Sequence, residues 1–266
     1  MPIANFEPLE RVLVTNDDGI DAPGLRIAEQ VAGVIAKEVW TVAPDTDYSG
    51  GSRQINLHKP LRITTHGGKR YSVSGSPADC VMVGVGELLK DKKVDLVLSG
   101  VNAGVNIGGD VGFSGTVGAA MTANVIGLPG VALSQAWKER DNIPWETSQK
   151  WLPEILKILI KNKNWPWKFV PNINVPAVLP DEVEGVSVSQ QGYSTSVSPL
   201  IEKRIDLRQQ EYMWLYLSKD HGHPGDDEDI SVLRSNRVSV SFLTRSITDQ
   251  EVTSELSSLF EKLSAD

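Results

Sequence analysis

The chain has 266 residues, which allows one large domain or two small ones but not a multidomain array. An apolar content of 40% and a charged content of 23% are typical of globular proteins, and they exclude disordered, collagen-like and membrane-bundle chains. The net charge of −8 argues against general binding to nucleic acid polymers. With Cys80 as the single cysteine, no intrachain disulfide and no cysteine-based metal cluster can form.

The first ten residues carry neither the basic nor the apolar segment of a secretory signal, so we expect a cytoplasmic protein. The uncharged stretch 111–137 is long enough to span a bilayer, but it contains several glycines and polar residues. We therefore expect a buried helix and strand there, and no membrane contact.

Short apolar strands alternate with helical patterns in the first half of the chain. The predicted strands lie at 11–15, 39–43, around 61–65 and 70–74, and at 95–99 and 130–134. The predicted helices lie at 24–37, 78–90 and 116–127. Strands rich in Val and Leu that are separated by helices indicate an α/β fold, with a mostly parallel sheet covered on both faces.

The second half begins with a predicted helix at 145–162 and a Trp/Pro-rich link at 164–171, which leads to a strand at 172–178. Alternating strand pairs are predicted over 185–217, then a strand at 238–244 and an amphipathic helix at 251–263. We place a boundary near Asp181. It divides an α/β catalytic core, 1–181, from a β-rich arm, 182–266, that returns a late strand to the core.

Two adjacent acids, Asp17 and Asp18, directly follow the first predicted strand. Their charges repel, and burial would place a proton on one of them unless a cation neutralises the pair. A hard divalent ion with oxygen ligands, Mg²⁺ or Mn²⁺, fits this position. Alternatively, one acid caps the next helix and the other is solvated in an ordinary turn.

A glycine-rich loop follows the strand at 95–99. Asn102 and Asn106 supply amide groups there, and Ser114, Gly115 and Thr116 open a helix that carries no negative charge at its start. Backbone amides at a helix N-terminus bind phosphate, and the two hydroxyls add donors. The alternative is a serine N-cap on a tightly packed helix.

An acidic metal site beside an oxyanion cradle, on neighbouring strand ends, indicates metal-assisted phosphoryl transfer or hydrolysis. Competing motifs are absent from the sequence: there is no P-loop, no dinucleotide glycine fingerprint, no GxSxG and no HExxH. His221 and His223 are interpreted as part of a solvated acidic loop rather than as metal ligands. The tryptophans are interpreted as packing residues without a site role.

Several segments together resemble the SurE family of metal-dependent nucleotidases and acid phosphatases. They cover nearly all of the first 135 residues in order, with a weaker match over 185–235. The matching segments are VLVTNDDGIDAPGL (12–25), VAPDTDYSGGS (42–52), SGSPADCVMVGV (74–85), LVLSGVNAGVNIG (96–108), DVGFSGTVGAAM (110–121) and NINVP (172–176).

The resemblance implies a Rossmann-like core, one bound divalent cation, Mg²⁺ or Mn²⁺, and hydrolysis of nucleoside 5′- and 3′-monophosphates. It also implies a homodimer or homotetramer in which the C-terminal portion reaches a neighbour. Carried over by motif, the metal ligands are Asp17, Asp18, Ser49 and Asn102. The substrate-binding residues around the phosphate are Asn106, Ser114, Gly115 and Thr116.

The chain departs from the family pattern at Phe113, where a tyrosine is usual, so any hydroxyl contact made there is lost. We expect Asp17 and Asp18 to be the catalytic pair, with one of them orienting or deprotonating the attacking water while the metal acts as a Lewis acid. Two alternatives remain open. One is a phosphatase in which Asp17 or Asp18 is the nucleophile, and the other is a nucleotide-binding module without turnover.

Overall fold

The computed structural model describes residues 6–162, 169–193, 196–220 and 222–260. Within these ranges, nine strands form one sheet and two more form a separate hairpin. The strands are β1 (Leu9–Thr15), β2 (Ala36–Pro44), β3 (Ile63–Thr65), β4 (Arg70–Val73), β5 (Leu96–Ala103), β6 (Gly130–Gln135), β7 (Phe169–Val175), β8 (Val186–Val188), β9 (Ser196–Ile205), β10 (Glu211–Asp220) and β11 (Val238–Thr244). The helices are α1 (Pro23–Ile35), α2 (Pro77–Val83), α3 (Gly115–Val125), α4 (Trp145–Lys161), α5 (Asp229–Arg234) and α6 (Gln250–Phe260).

The central sheet is mostly parallel, which confirms the predicted fold class. Its order is β3-β4-β2-β1-β5-β6-β7-β11-β8. Neighbouring strands from β4 to β7 run parallel, whereas β3 and β11 are antiparallel to their partners β4 and β7. The chain leaves β1 for β2 on one side and later returns to β5 on the other side. This reversal opens a crevice at the carboxyl ends of β1 and β5, the usual ligand position in open α/β sheets.

Helices cover both faces of the sheet, as the sequence predicts. Val12 and Val14 of β1 pack in the same buried cluster as residues of α1 and α4. Leu13, between them, packs instead with residues of α2 and α3, because successive side chains of a strand point to opposite faces. The sheet is therefore buried on both sides around β1, and the end of this strand is held rigidly.

The helix predicted over 78–90 is present but irregular. A capping box between Ser76 and Asp79 starts α2, yet the α-helix ends at Val83 and a π-helical turn follows over Gly84–Leu88. A Cβ atom at Gly84 would lie 3.0 Å from a methyl group of Leu13, so a small residue is needed where this segment crosses β1. The prediction located the helix and missed the change of helical type.

The C-terminal portion contributes to two sheets. β11 confirms the strand predicted at 238–244. It pairs with β7 and with β8, and β8 forms the edge of the central sheet. β9 and β10 form a long antiparallel hairpin outside that sheet. The short helix α5 was not predicted. Most of the link at 164–171 and the last residues of the helix predicted at 251–263 lie outside the described residues.

Within the described ranges, no helix combines the length and the apolar character that crossing a bilayer requires. The uncharged stretch 111–137 contains α3 and β6, and most of its residues in these two elements are buried. The expected buried helix and strand are confirmed there.

Candidate functional site

A cavity of about 450 Å³ opens at the crevice beside the carboxyl ends of β1 and β5. Six of the eight residues that the sequence assigned to the site line this cavity: Asp17, Asp18, Ser49, Asn102, Asn106 and Ser114. The remaining two, Gly115 and Thr116, do not line it. They are buried in the first turn of α3, behind Asp17.

Asp17 is held against the N-terminus of α3. Its Oδ1 atom accepts a 2.5 Å hydrogen bond from the hydroxyl of Thr116, which is fully buried. A Cβ atom at Gly115 would lie only 2.8 Å from the Cβ of Asp17, so glycine allows the helix to approach this closely. In the structure Gly115 and Thr116 thus lie against the carboxylate of Asp17, and their predicted position around the phosphate stays a prediction.

Burial dominates the protonation of the acidic pair. The pKa of Asp17 is raised to about 6. Burial is the main cause, the hydrogen bond from Thr116 opposes it, and the charge of Asp18 adds to it. Burial also raises the pKa of Asp18. The backbone hydrogen bond from Ala103 opposes this rise, and the charge of Asp47 adds to it. Burial thus favours the protonated form of both acids.

Asp18 and Asn102 are joined through the end of β5. The backbone amide of Ala103 donates to Oδ2 of Asp18 at 3.2 Å, while the Asn102 side-chain nitrogen donates to the carbonyl of Gly104 at 3.1 Å. The bond to Gly104 uses the nitrogen of the Asn102 carboxamide, so its oxygen can still bind a metal ion. The pairing of β5 with β6 shifts register between Ser99 and Asn102, an irregularity that re-aims the side chains at this strand end.

Ser49 lies on the exposed loop after β2. Its backbone amide donates to the carboxylate of Asp47 at 2.7 Å, which fixes the turn. The next part of this loop is anchored to the segment just before α3, because Ser52 donates through its hydroxyl to the carbonyl of Gly112 at 2.9 Å. The loop therefore brings Ser49 to the same cavity as the two acids.

Ser114 is the N-cap of α3. Its Oγ accepts a 3.0 Å hydrogen bond from the amide of Val117, so the hydroxyl proton remains available to a ligand in the cavity. The residue is 7% exposed and lines the cavity. The N-cap interpretation is confirmed for Ser114, and its role as a donor to phosphate stays a prediction.

Asn106 is fixed by two asparagines of β7. Its amide donates to Oδ1 of Asn174 at 2.8 Å, and its carbonyl accepts from Nδ2 of Asn172 at 2.8 Å. Its own side-chain nitrogen donates to Ser134 Oγ at 2.9 Å. These bonds use neighbouring parallel strands to hold the glycine-rich loop, and they place the Asn106 side chain at the cavity wall.

A buried carboxylate from the C-terminal portion holds the same loop. Asp229 accepts hydrogen bonds from the backbone amides of Gly108 at 2.9 Å, Gly192 at 3.1 Å and Ile230 at 2.9 Å. The side chain of Gln191 donates to the Gly108 carbonyl at 2.8 Å. The portion of the chain beyond Asp181 is thus tied to the glycine-rich loop at Gly108.

The cavity is also lined by residues that were not assigned to the site from the sequence, among them Asp110, Phe113, Trp137, Arg140 and Leu217. Trp137 and Arg140 follow β6, so the rule that ligands meet strand ends would have found them if it had been applied to that strand. Leu217 lies on β10, far along the chain, and no local pattern marks it.

The site has the oxygen-rich chemistry of a hard cation. The candidate ligands are two carboxylates, one amide and one hydroxyl, and such sets suit Mg²⁺ or Mn²⁺. In the part of the chain that the structure describes, no group of three or more His, Cys, Asp or Glu side chains could hold a metal ion. His223 is exposed, and His221 lies outside the described residues.

Comparisons with known proteins identify the family of the chain. The family model for survival protein SurE matches residues 12–198. A 5′-nucleotidase SurE from Parvibaculum lavamentivorans is 40% identical, over 92% of this chain and 89% of its own length. A 5′-nucleotidase SurE 1 from Burkholderia lata is 45% identical, over 82% of this chain and 83% of its own. The crystal structure of the SurE protein from Aquifex aeolicus superposes with a TM-score of 0.80 at 31% identity, covering 94% of this chain and all of the other. The chain therefore belongs to the SurE family.

Proposed function

We propose that the protein is a divalent-metal-dependent phosphomonoesterase that hydrolyses nucleoside 5′- and 3′-monophosphates to the nucleoside and phosphate. The curated relatives described above carry the name 5′-nucleotidase. The observation that carries the proposal is the shared cavity, which joins the adjacent acids Asp17 and Asp18 to the capping hydroxyl of Ser114.

The candidate ligand set for the ion consists of Asp17, Asp18, Ser49 and Asn102. The fit is supported by two adjacent carboxylates at one cavity wall and by the Asn102 carboxamide, whose nitrogen is already used by Gly104. A bound divalent cation would supply Lewis acidity and positive charge for the phosphate oxygens. Thr116 stabilises the ionised form of Asp17 through its hydroxyl, and so favours the protonation state that binds a cation.

The phosphate would be bound by Ser114 and Asn106. The Ser114 hydroxyl can donate to an equatorial phosphate oxygen, because its own acceptor is already satisfied by Val117. The Asn106 backbone is held on both sides, so its side chain needs little reorganisation when charge develops on the phosphate. One carboxylate of the pair would orient the attacking water or accept its proton.

Phosphate release from a panel of nucleoside 5′- and 3′-monophosphates, with and without chelator, tests this function. We expect release that stops with chelator and returns with Mg²⁺ or Mn²⁺, and that is abolished in folded Asp17→Asn protein. A folded Asp17→Asn protein with near-normal release would overturn the assignment.

Two measurements separate the alternatives. A phosphatase with Asp17 or Asp18 as the nucleophile would yield a covalent phosphoenzyme after acid quench with labelled substrate, and hydrolysis by water would not. A binding module would retain nucleotide without releasing phosphate.

A homodimer or homotetramer is part of the proposal. It is supported by the β9–β10 hairpin, whose large apolar side chains are exposed in the single chain, among them Leu200, Ile201, Met213, Trp214 and Leu215. Exposed apolar surface of this extent marks an interaction site. Light scattering after size-exclusion chromatography should give a mass of two or four times 29.0 kDa, and a monomer would contradict this part of the proposal.

A further inference from the structure

Trp137 is the aromatic residue closest in sequence to the end of β6, and it lines the candidate site together with the acidic pair. Its indole nitrogen donates a 3.1 Å hydrogen bond to the carbonyl of Ala103. The side chain is nevertheless 37% exposed. Since its one polar atom already has a partner, the exposed part of the ring is apolar carbon.

The ring is held close to the reacting end of the cavity. Ala103 accepts from Trp137 through its carbonyl and donates to Asp18 through its amide. The indole and the carboxylate are thus joined through one residue of β5. A ligand with its phosphate at Ser114 and Asn106 would share the cavity with this ring.

The cavity has polar lining residues, among them Asp110 and Arg140 besides the two acids, and it also has apolar ones. Phe113, 51% exposed, and Leu217, 43% exposed, add apolar surface to the same cavity as Trp137. Asp17 and Asp18 belong to the polar part of this lining. A ligand that joins an anionic group to a flat, weakly polar ring would satisfy both parts.

Trp137 differs from the other tryptophans near the sheet that the structure describes. Trp40 stacks on Tyr71 with the ring centroids 5.9 Å apart. Trp145 and Trp151 pack against the hydrophobic core. These three rings already have packing partners, whereas Trp137 presents its free surface to the cavity.

We propose that Trp137 is the surface on which the nucleobase of the substrate stacks, so that it selects nucleotides over sugar phosphates without a base. This inference rests on the proposed function, because it names the residue that binds the nucleoside part. Every nucleobase has a flat π face, so an aromatic side chain can stack on any of the bases. The structure therefore assigns Trp137 a preference for a base, without discrimination between purines and pyrimidines.

The test compares adenosine 5′-monophosphate with ribose 5-phosphate, which lacks the base. In Trp137→Leu we expect kcat/KM for the nucleotide to fall about 10-fold through a higher KM, the loss of one base–aromatic stack. For ribose 5-phosphate we expect a change below about 2-fold. Trp137→Phe should recover part of the nucleotide preference, because it restores an aromatic face without the indole nitrogen.

Trp151→Leu is the matched control. Trp151 also donates its indole nitrogen to a backbone carbonyl, that of Pro180 at 3.1 Å, and it does not line the cavity. We expect no change in the ratio of the two kcat/KM values. Circular dichroism confirms folding of each variant.

Three results would overturn the inference. If Trp137→Leu lowers kcat/KM equally for both substrates, the residue positions Ala103 and Asp18 and does not bind a base. If kcat/KM changes for neither substrate, the ring has no role in binding. If the unaltered protein releases phosphate from neither substrate, the proposed function fails first. The unaltered protein's own activity therefore distinguishes the two failures.

Discussion

Thr116 donates a hydrogen bond of 2.5 Å to Asp17, 99 residues earlier in the chain, and this bond ties the start of α3 to the end of β1. Both residues are almost completely buried. A hydrogen bond to a buried carboxylate is worth more than one between neutral groups, because the charge has lost its water. The acidic pair therefore depends on a residue that does not line the cavity.

Replacing Thr116 by valine removes this donor while nearly preserving the side-chain volume. We expect Thr116→Val to lose about 2 kcal/mol of unfolding free energy at neutral pH, and to lower kcat/KM for a nucleoside monophosphate about 10-fold or more. Urea unfolding and phosphate release measure the two effects.

Thr122→Val is the matched control, since Thr122 is buried on the same helix and donates to the carbonyl of Gly118 at 2.8 Å. No carboxylate loses a donor there, so activity should change less than about 2-fold. Equal losses of activity in the two variants would contradict a specific role for Thr116.

Gly118 lets α3 pass close to the loop that carries Ser49. A Cβ atom there would lie 2.0 Å from the backbone oxygen of Ser52, so Gly118→Ala must displace that loop. We expect a loss of about 1–3 kcal/mol in unfolding free energy, together with a marked fall in activity. Gly33→Ala, in α1 with no atom within 4 Å of the added carbon, should instead stabilise by up to about 1 kcal/mol. A Gly118→Ala protein with normal activity would show that the loop position is unimportant.

Asp229 holds Gly108 from the C-terminal portion. In Asp229→Asn an amide NH₂ replaces one carboxylate oxygen, so at least one backbone amide among its three partners loses its acceptor. We expect a cost of about 1–3 kcal/mol in unfolding free energy and a loss of activity, because Asn106 lies in the same loop. The exposed Asp226→Asn should stay within about 0.5 kcal/mol. If the Asp229 variant is as stable and active as the Asp226 variant, Asp229 does not hold the loop.

Glu38 gives a pH-dependent contribution to stability. Hydrogen bonds from Lys69 and then Arg11 lower the pKa of Glu38 to about 2, against the opposing effect of partial burial. A lowered pKa means that the ionised form stabilises the fold above the unfolded pKa of about 4.3, and that this stability is lost as the pH falls toward 2.

Glu38→Gln should therefore cost about 1 kcal/mol at pH 7, and the difference from the unaltered protein should shrink between pH 4.5 and 2. Glu10→Gln is the control, because Glu10 pairs with Lys37 at an exposed position where the pair contributes little. Urea unfolding across this pH range measures the effect. A difference that is constant with pH would contradict the ion-pair explanation.

The parts of the fold that follow from local patterns could be predicted from the sequence. Buried runs such as those of β1, β5 and β6 are bounded by glycine and polar residues, and their alternation with helices indicates a parallel sheet. Asp17, Asp18 and Asn102 stand directly after or at the end of such runs. Because carboxyl ends of parallel strands share one edge, the sequence alone predicts that these residues are neighbours.

Long-range contacts could not be predicted in the same way. Asp229 meets Gly108 across 121 residues, and Leu217 reaches the cavity from a hairpin outside the central sheet. Thr116 follows a local pattern, since it is a polar residue at the start of a helix. Its partner Asp17 is determined by how closely α3 packs on β1, which no local pattern shows. Trp137 was interpreted as a packing residue because nothing in its neighbours shows that its ring faces a cavity.

Direct measurement of Mn²⁺ binding tests the central claim, which is that the acids after β1 hold one divalent cation. Calorimetric titration of the metal-free protein should give one site per chain, with affinity reduced about 10-fold or more in Asp18→Asn and unchanged in Asp21→Asn, where the residue is exposed and does not line the cavity. Equal affinity and stoichiometry in all three proteins would contradict the account.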